Sequence, residues 1–220
     1  VQLLIPNKQL KVNCNIMIHN GSNTIEMNAL SYAAQQSNSE IFQFLLKRKD
    51  INVNIESKCI ENSKINENNT KTPLEYAVEV NNSDIVKMLM SRKDIKVKNN
   101  ISDGEYSKSL LFLAVEHENV DIVRSLLSNP NIDVNLGERA DSYYKTPLFL
   151  AVEKENKAIV QLLLSNEKID VNCMSYFEQN DNNNMHLIFN KTALHEAVLR
   201  NNFEIVQLLL SKDNIDINII

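Results

Sequence analysis

Glycine, tryptophan and cysteine are scarce in this sequence, and each scarcity excludes a class of protein. Only three of the 220 residues are glycine, and Gly21, Gly104 and Gly137 lie too far apart for a Gly-rich phosphate loop or a Rossmann motif. Tryptophan is absent, so the signature of WD-type propellers is missing. The three cysteines form no Cys-x-x-Cys pair, which fits an intracellular, cytoplasmic setting with reduced thiols better than a disulfide scaffold.

Long apolar runs and excess positive charge are missing too. The longest apolar run, Leu110–Val115, has six residues, whereas a membrane span needs about 20, so we expect no membrane insertion. The net charge of −5 argues against a nucleic-acid partner, because such proteins neutralise phosphates with basic residues. With 43% apolar and 23% charged residues, the chain has the composition of a folded globular protein.

Asparagine, in contrast, is abundant, at 33 of the 220 residues. Lysine and isoleucine are common as well. We therefore interpret the asparagine content as a reflection of codon usage rather than of structure.

The chain also repeats itself. The stretch VQLLLSNEKIDVN at 160–172 aligns without a gap with VQLLIPNKQLKVN at the start, and further copies begin at Ile41, Ile85, Ile122 and Ile205. A second block precedes each complete copy, and its anchor leucines are 44, 37, 37 and 46 residues apart: Leu30, Leu74, Leu111, Leu148 and Leu194. From each anchor to the closing Val or Ile the distance is always 23 residues. We infer rigid packed units joined by loops that vary in length.

Within each unit the apolar positions follow the helical period, which predicts two short helices. Thr72 and Thr146 are suited to cap the first helix, and the prolines that follow them suit its first turn. An asparagine precedes the second helix in every unit and is predicted to be its N-cap: Asn38, Asn82, Asn119, Asn156 and Asn202.

Together these blocks resemble the ankyrin repeat, most closely at Thr146-Pro147-Leu148 and at Thr192-Ala193-Leu194-His195. The resemblance covers essentially the whole chain and implies an all-α solenoid of stacked antiparallel helix pairs with protruding loops or β-hairpin fingers. The sequence departs from the family where a glycine usually separates the two helices, because Ser37, Asn81, Glu118, Glu155 and Asn201 stand there. If the left-handed conformation is kept, Glu118 and Glu155 should be strained.

The resemblance predicts a single ankyrin-repeat domain over residues 1–220. Residues 1–13 match only the end of a repeat, so we expect the natural chain to extend upstream. The helix-pair units are predicted at about 28–54, 72–98, 109–135, 146–172 and 192–218, with inserted loops at 14–27, 55–71, 99–108, 136–145 and 173–191. The longest loops are rich in asparagine, and we expect their tips to be mobile.

No constellation points to catalysis or to a metal. Cys14 with His19 and Cys173 with His186 are isolated pairs in separate loops, so we expect neither a metal nor another cofactor. His195 holds the position whose family role is hydrogen bonding within the repeat turn. We interpret His117 as a solvated residue on a helix surface. No motif for nucleotide binding, hydrolysis or phosphoryl transfer is present, and we expect no enzyme.

A repeat solenoid builds an extended concave surface. The resemblance therefore implies a monomeric protein–protein interaction scaffold or adaptor whose partner the sequence does not identify. The alternative is a regulatory ankyrin segment of a larger enzyme or channel whose active part lies outside this chain. The full-length open reading frame distinguishes the two.

In ankyrin arrays the end of the first helix faces the groove. The resemblance thus assigns ten groove candidates: Gln35, Gln36, Glu79, Val80, Glu116, His117, Glu153, Lys154, Leu199 and Arg200. Glu79, Glu116 and Glu153 fall at one position of successive units and favour a basic segment of a partner. Two alternatives stay open. In the first, the glutamates form a solvated face, with Lys154 neutralising Glu116 or Glu153. In the second, a partner binds through the fingers, at Tyr176, Phe177, Ile188 and Phe189.

Overall fold

The computed structural model describes residues 12–20, 23–61, 64–103, 106–140, 142–180 and 186–219. It separates into an N-terminal half, Val1–Val97, and a C-terminal half, Lys98–Ile220. Most of the truncated repeat expected at residues 1–13 lies outside the described residues. The single domain over residues 1–220 stays a prediction.

The N-terminal half contains two helix pairs, each preceded by a β-hairpin. In chain order its elements are β1 (Asn15–Asn20), β2 (Asn23–Asn28), α1 (Ala29–Gln35), α2 (Ser39–Leu46), β3 (Ser57–Glu61), β4 (Lys64–Lys71), α3 (Pro73–Glu79) and α4 (Ser83–Met90). The first helices α1 and α3 pack together, as do the second helices α2 and α4. The two hairpins join into one antiparallel sheet of order β1-β2-β3-β4.

The C-terminal half repeats this plan three times. Its elements are β5 (Asn100–Asp103), β6 (Tyr106–Ser109), α5 (Leu110–Glu116), α6 (Val120–Leu127), β7 (Glu138–Ala140), β8 (Tyr143–Lys145), α7 (Pro147–Glu153), α8 (Lys157–Leu164), β9 (Ser175–Asn180), β10 (His186–Lys191), α9 (Ala193–Leu199) and α10 (Phe203–Leu210). Helices α5, α7 and α9 stack in order, with α6, α8 and α10 beside them. The predicted fold class, stacked antiparallel helix pairs with hairpin fingers, is confirmed.

The fingers are the inserted loops of the sequence, and much of their length is strand. In the C-terminal half they pair into one antiparallel sheet of order β10-β9-β8-β7-β6-β5. Residues 62–63 and 181–185, at the tips of the two longest loops, lie outside the described residues, so their predicted mobility stays a prediction. No helix in the described ranges is long and apolar enough to cross a membrane.

The helices begin where their caps predict. The side chains of Thr72 and Thr146 accept hydrogen bonds from backbone N–H groups three residues on, as capping requires. Each predicted N-cap asparagine accepts from the backbone N–H three residues ahead, at 3.0–3.1 Å: Asn38, Asn82, Asn119, Asn156 and Asn202. The anchors Leu30, Leu74, Leu111 and Leu148 are buried, whereas Leu194 is partly exposed.

The turn between the helices keeps the left-handed conformation without glycine. The five residues there have φ between 54° and 57°: Ser37, Asn81, Glu118, Glu155 and Asn201. The strain expected at Glu118 and Glu155 is therefore present. A hydrogen bond compensates for it, because Oε2 of each glutamate accepts from the N-cap asparagine of the following pair, from Asn156 at 3.3 Å and Asn202 at 3.0 Å.

Proteins are usually more stable with alanine than with glycine at a given position, but at Glu155 we expect the opposite order. Glu155→Ala and Glu155→Gly both remove the bond from Asn202, but only alanine keeps the steric cost of a positive φ. We expect Glu155→Gly to be more stable than Glu155→Ala by about 1 kcal/mol. Urea denaturation of both variants measures the difference. Equal stability, or a more stable alanine variant, would contradict the left-handed assignment.

Asparagine side chains also link successive helix pairs. Some of the asparagines therefore have a structural role, and the interpretation of their abundance as codon usage was incomplete. The residue that closes a unit donates its side-chain amide to a backbone carbonyl of the next unit and accepts a backbone N–H two residues further on. In Asn135 these bonds go to Lys168 O at 2.9 Å and from Asp170 N at 2.8 Å. Three other closing residues bridge in the same way: Asn13, Asn54 and Asn172. Asn99, one residue beyond a closing position, makes the same pair of bonds within the C-terminal half, to Asn131 O and from Asp133 N. We call these contacts the asparagine bridges.

Candidate partner-binding surface

The ten groove candidates share one structural position. In every pair they are the last residue of the first helix and the C-cap that follows it. Each first helix has seven residues, so the same two positions of the repeat lie at its C-terminal end in every pair. We call them the helix-end residues: Gln35, Gln36, Glu79, Val80, Glu116, His117, Glu153, Lys154, Leu199 and Arg200.

Each helix-end glutamate has a lysine partner that the sequence analysis missed. The distances from lysine Nζ to the glutamate carboxylate are 2.8 Å for Lys71–Glu79, 2.9 Å for Lys108–Glu116 and 2.8 Å for Lys145–Glu153. Each lysine stands directly before the N-cap of its helix, eight residues ahead of its glutamate. The repeated spacing was the available signal, and it places a cation from the finger beside every glutamate of the set.

The three glutamates differ in how many of their carboxylate oxygens accept a hydrogen bond from the lysine partner. Glu79 and Glu116 are exposed, and each accepts Lys Nζ on one oxygen only, among the contacts of the described residues. Glu153 is less exposed and accepts Lys145 on both oxygens, at 3.0 and 2.8 Å. Glu79 and Glu116 thus each keep an oxygen that can accept a further donor.

Lys108 is held between two carboxylates. It contacts Glu138 at 2.9 Å as well as Glu116. Burial lowers the pKa of Lys108, but its hydrogen bonds to Glu138 and Glu116 outweigh burial, so the pKa lies above its ordinary value. The amine therefore stays charged at neutral pH.

Lys154 does not have the neutralising role considered for it. Its Nζ lies 3.6 Å from Glu118, a residue of the preceding turn. The cations beside Glu116 and Glu153 are Lys108 and Lys145 instead. A helix-end glutamate is therefore neutralised from its own finger rather than from a neighbouring helix.

The last pair differs from the others. Leu199 takes the place of the glutamate and is exposed. Arg200 contacts Glu196 at 2.7 Å and Glu155 at 3.9 Å, while Lys191 lies 3.8 Å from Glu196. Beside them lies a recess of about 340 Å³ whose apolar lining includes Leu194, Val198, Leu199 and Ile217. This end of the surface can hold an apolar group.

The four finger candidates are not equivalent. Tyr176 stacks on Tyr144 with ring centroids 6.0 Å apart, and Phe177 packs 5.5 Å from Phe149 of α7. Lys145 and Lys191 lie over the ring of Phe177. These contacts make Tyr176 and Phe177 part of the packing between fingers and helices. Phe189 is exposed, whereas the side chain of Ile188 lies outside the described part of the structure.

Two histidines, His195 and His117, lie at structural positions of the helix pairs. His195 Nδ1 lies 3.1 Å from Thr192 N and 2.9 Å from Thr192 Oγ1, which confirms its expected role in the repeat turn. The interpretation of His117 as solvated holds only in part. The residue, which is the C-cap of α5, is partly exposed, but its Nε2 is buried, with no hydrogen-bond partner among the described residues.

Among the described residues, the cysteines and the candidate metal ligands do not form a reactive or metal-binding centre. Burial, with Asp170 and Asp133 nearby, raises the pKa of Cys173, so its thiol is protonated and weakly nucleophilic at neutral pH. Over the described ranges, no three His, Cys, Asp or Glu side chains group as metal ligands would. The side chains of His19 and His186 are not among those that the structure describes.

One family model matches the chain over most of its length. The family model described as ankyrin repeats (3 copies) matches residues 1–103 and 111–220. The crystal structure of the ankyrin repeat domain of Bcl-3, a member of the IkappaB protein family, is similar with a TM-score of 0.56 and 23% identity. That match covers 84% of this chain and 71% of the other, and at this identity it supports the fold alone. No curated protein matches the sequence.

Proposed function

Because the chain belongs to the ankyrin-repeat family, we propose that it is a scaffold or adaptor that binds a partner protein through its helix-end residues. Ankyrin repeats generally mediate protein–protein interaction and are typically non-catalytic. We place the protein inside the cell, in the cytoplasm, as a monomer that binds neither nucleic acid nor a cofactor. If the chain is a regulatory segment of a larger enzyme or channel, the same surface serves as its regulatory contact.

The observation that carries the proposal is that one carboxylate oxygen of Glu79 and of Glu116 has no donor among the described residues. Each glutamate is held in place by its finger lysine, so a partner pays little entropy to order it. The remaining oxygen points to a hydrogen-bond donor as the complementary group. A basic side chain supplies one, and charge-assisted hydrogen bonds of this kind are stronger than neutral ones.

The finger lysines limit what a basic partner gains. Lys71 and Lys145 each offset the charge of one glutamate, whereas Lys108 is shared between Glu116 and Glu138. We therefore propose that a basic segment is attracted through specific acceptors rather than through a strong net field. At Glu153 both oxygens are already occupied, so we propose a smaller contribution there. A basic segment that also carries an apolar residue would fit Leu199 and the recess beside it.

The test uses a short oligolysine peptide as the probe. Each exposed charged contact is worth about 0.2–1 kcal/mol, so Glu79→Gln/Glu116→Gln should weaken binding by about twofold to thirtyfold. Fluorescence anisotropy at low and high salt measures the affinity. The matched control is Glu167→Gln/Asp213→Asn, which removes the same charge from two exposed carboxylates away from the helix ends.

The proposal predicts that the control weakens binding much less than the helix-end variant does. If the two variants weaken it equally, the peptide senses only net charge and the proposed surface is rejected. If neither has an effect but Phe189→Ala does, binding runs through the fingers instead.

A further inference from the structure

The finger sheet of the C-terminal half has a second face, which is turned away from the helices. Successive side chains of a strand lie on opposite faces of its sheet. Lys108 and Lys145 contact helix-end glutamates, and Phe177 packs on Phe149 of α7, so these three finger residues lie on the helix-facing side. The residues next to them in sequence therefore lie on the opposite side, which we call the outer face.

One row of paired residues crosses the outer face. Each member is the direct cross-strand partner of the next, on five adjacent strands from β6 to β10: Ser107, Arg139, Tyr144, Tyr176 and Asn190. Residues that oppose each other directly share a face, and adjacent strands lie about 4.8 Å apart. These five residues, the outer row, therefore form a continuous line about 19 Å long.

The centre of the outer row is a fixed aromatic pair. The rings of Tyr144 and Tyr176 stack with their centroids 6.0 Å apart. The Tyr144 hydroxyl accepts from Gly137 N at 3.3 Å and donates to Asn135 O at 3.0 Å. Burial raises the pKa of Tyr144, so the phenol stays neutral at physiological pH. A ligand therefore meets rings that are already ordered, and little entropy is lost when it binds.

The polar groups around this pair are unused. Arg139 and Asn190 are exposed, and Ser107 and Tyr176 are partly exposed. Among the described residues, none of these four side chains makes a hydrogen bond or an ion pair. The row thus offers a guanidinium, an amide and two hydroxyls as donors beside an aromatic platform. Arginine and tyrosine are the residue types that most often carry binding energy at interfaces.

The charge of the outer row is opposite in sign to that of the whole chain. Arg139 is the one charged side chain among those described on this face, whereas the chain has a net charge of −5. Asp133 and Arg139 both influence the pKa of Tyr144, but the Asp133 carboxylate accepts from Asn135 N at 3.0 Å and does not pair with Arg139. A line of donors with one unpaired cation is complementary to a ligand that carries acceptors and negative charge.

We propose that the outer row binds an acidic segment of a partner protein. A carboxylate of the segment pairs with Arg139, while Tyr176 and Asn190 donate hydrogen bonds to its carbonyl or carboxylate oxygens. The distance along the row from Arg139 to Asn190 is about 14 Å, which an extended chain spans with about four residues. The row contains none of the helix-end residues, so this proposal does not rest on the previous one. Together they describe an adaptor with two surfaces that select opposite charges.

The test is an NMR titration of the chain with a hexaglutamate peptide whose termini are blocked. We expect shifts confined to the amides of β7–β10 and to the Arg139 Nε–H resonance. The net charge of the chain repels this peptide elsewhere, so a local response does not arise from unspecific attraction. Arg139→Gln should weaken binding by about fivefold, the upper end for an exposed ion pair. The matched control is Arg124→Gln, which removes the same charge from an exposed arginine of α6 and should weaken binding much less.

A second variant tests the donors of the row separately from its charge. Tyr176→Phe removes one hydroxyl and keeps the ring stack, so it should weaken binding by about twofold to tenfold, as the loss of one hydrogen bond does. The proposal is overturned if no shift occurs in β7–β10, if the two arginine variants weaken binding equally, or if Tyr176→Phe has no effect. It also fails if inorganic phosphate shifts the same resonances as strongly as the peptide, because the row is then a site for small anions. Neither Glu79 nor Glu116 takes part, so this test and the oligolysine test can fail independently.

Discussion

Leu163→Ala is expected to destabilise the protein by about 2–5 kcal/mol, the range for a leucine truncated in a packed interior. Leu163 is fully buried in α8, whose helix pair has a neighbour on each side. The cavity therefore weakens two interfaces at once, and in a repeat protein that loss propagates along the stack. Leu148→Ala, at the anchor of the same pair, should cost a similar amount.

Gln161→Ala is the matched control for Leu163→Ala, because Gln161 lies on the exposed side of the same helix. Its effect should stay within about 0.5 kcal/mol. Guanidinium denaturation followed by circular dichroism measures all three variants. A loss below about 0.5 kcal/mol for Leu163→Ala would show that the packing of α8 is misassigned.

The second large effect is expected at the asparagine bridges. Asn135→Ala removes two hydrogen bonds between successive helix pairs, each worth about 0.5–1.5 kcal/mol, so we expect a loss of about 1–3 kcal/mol.

Asn218→Ala provides an internal control for this prediction. It is the same substitution at the same position of a repeat unit, but Asn218 has no following pair to bridge to in the described structure. Its effect should stay within about 0.5 kcal/mol. Equal losses for Asn135→Ala and Asn218→Ala would mean that the asparagine acts within its own loop and not across the interface.

The helix pairs were predictable because their signals are local. The leucine anchors, the constant distance from anchor to closing Val or Ile, and the Thr and Asn caps all act within one unit. The glycine-free turn was the one local rule that the chain breaks. The sequence located it, but only the structure shows that Glu118 and Glu155 keep the left-handed conformation and bond to the next pair.

The contacts between units were not predictable in the same way. Asn135 bonds to backbone atoms more than 30 residues away, and backbone atoms carry no sequence signal. The position of asparagine at the close of successive units was visible, but its role was not.

The lysine partners were missed for another reason. Lys71 and Glu79 are eight residues apart, a spacing that does not place two residues together on a single helix. They meet because the lysine ends a finger strand and its long side chain reaches the far end of a two-turn helix. The charge of the helix-end glutamates could therefore not be judged from the helix sequence alone.

We infer that the helix-end residues bind a partner with basic character. The most direct test is selection of a random peptide display library on the immobilised chain, with Glu79→Gln/Glu116→Gln as the counter-screen and Glu167→Gln/Asp213→Asn as the matched control. We expect the selected peptides to be rich in Lys or Arg, to bind the control variant as they bind the original chain, and to lose affinity for the helix-end variant. Selected peptides without basic residues, or ones that bind both variants equally well, would contradict it.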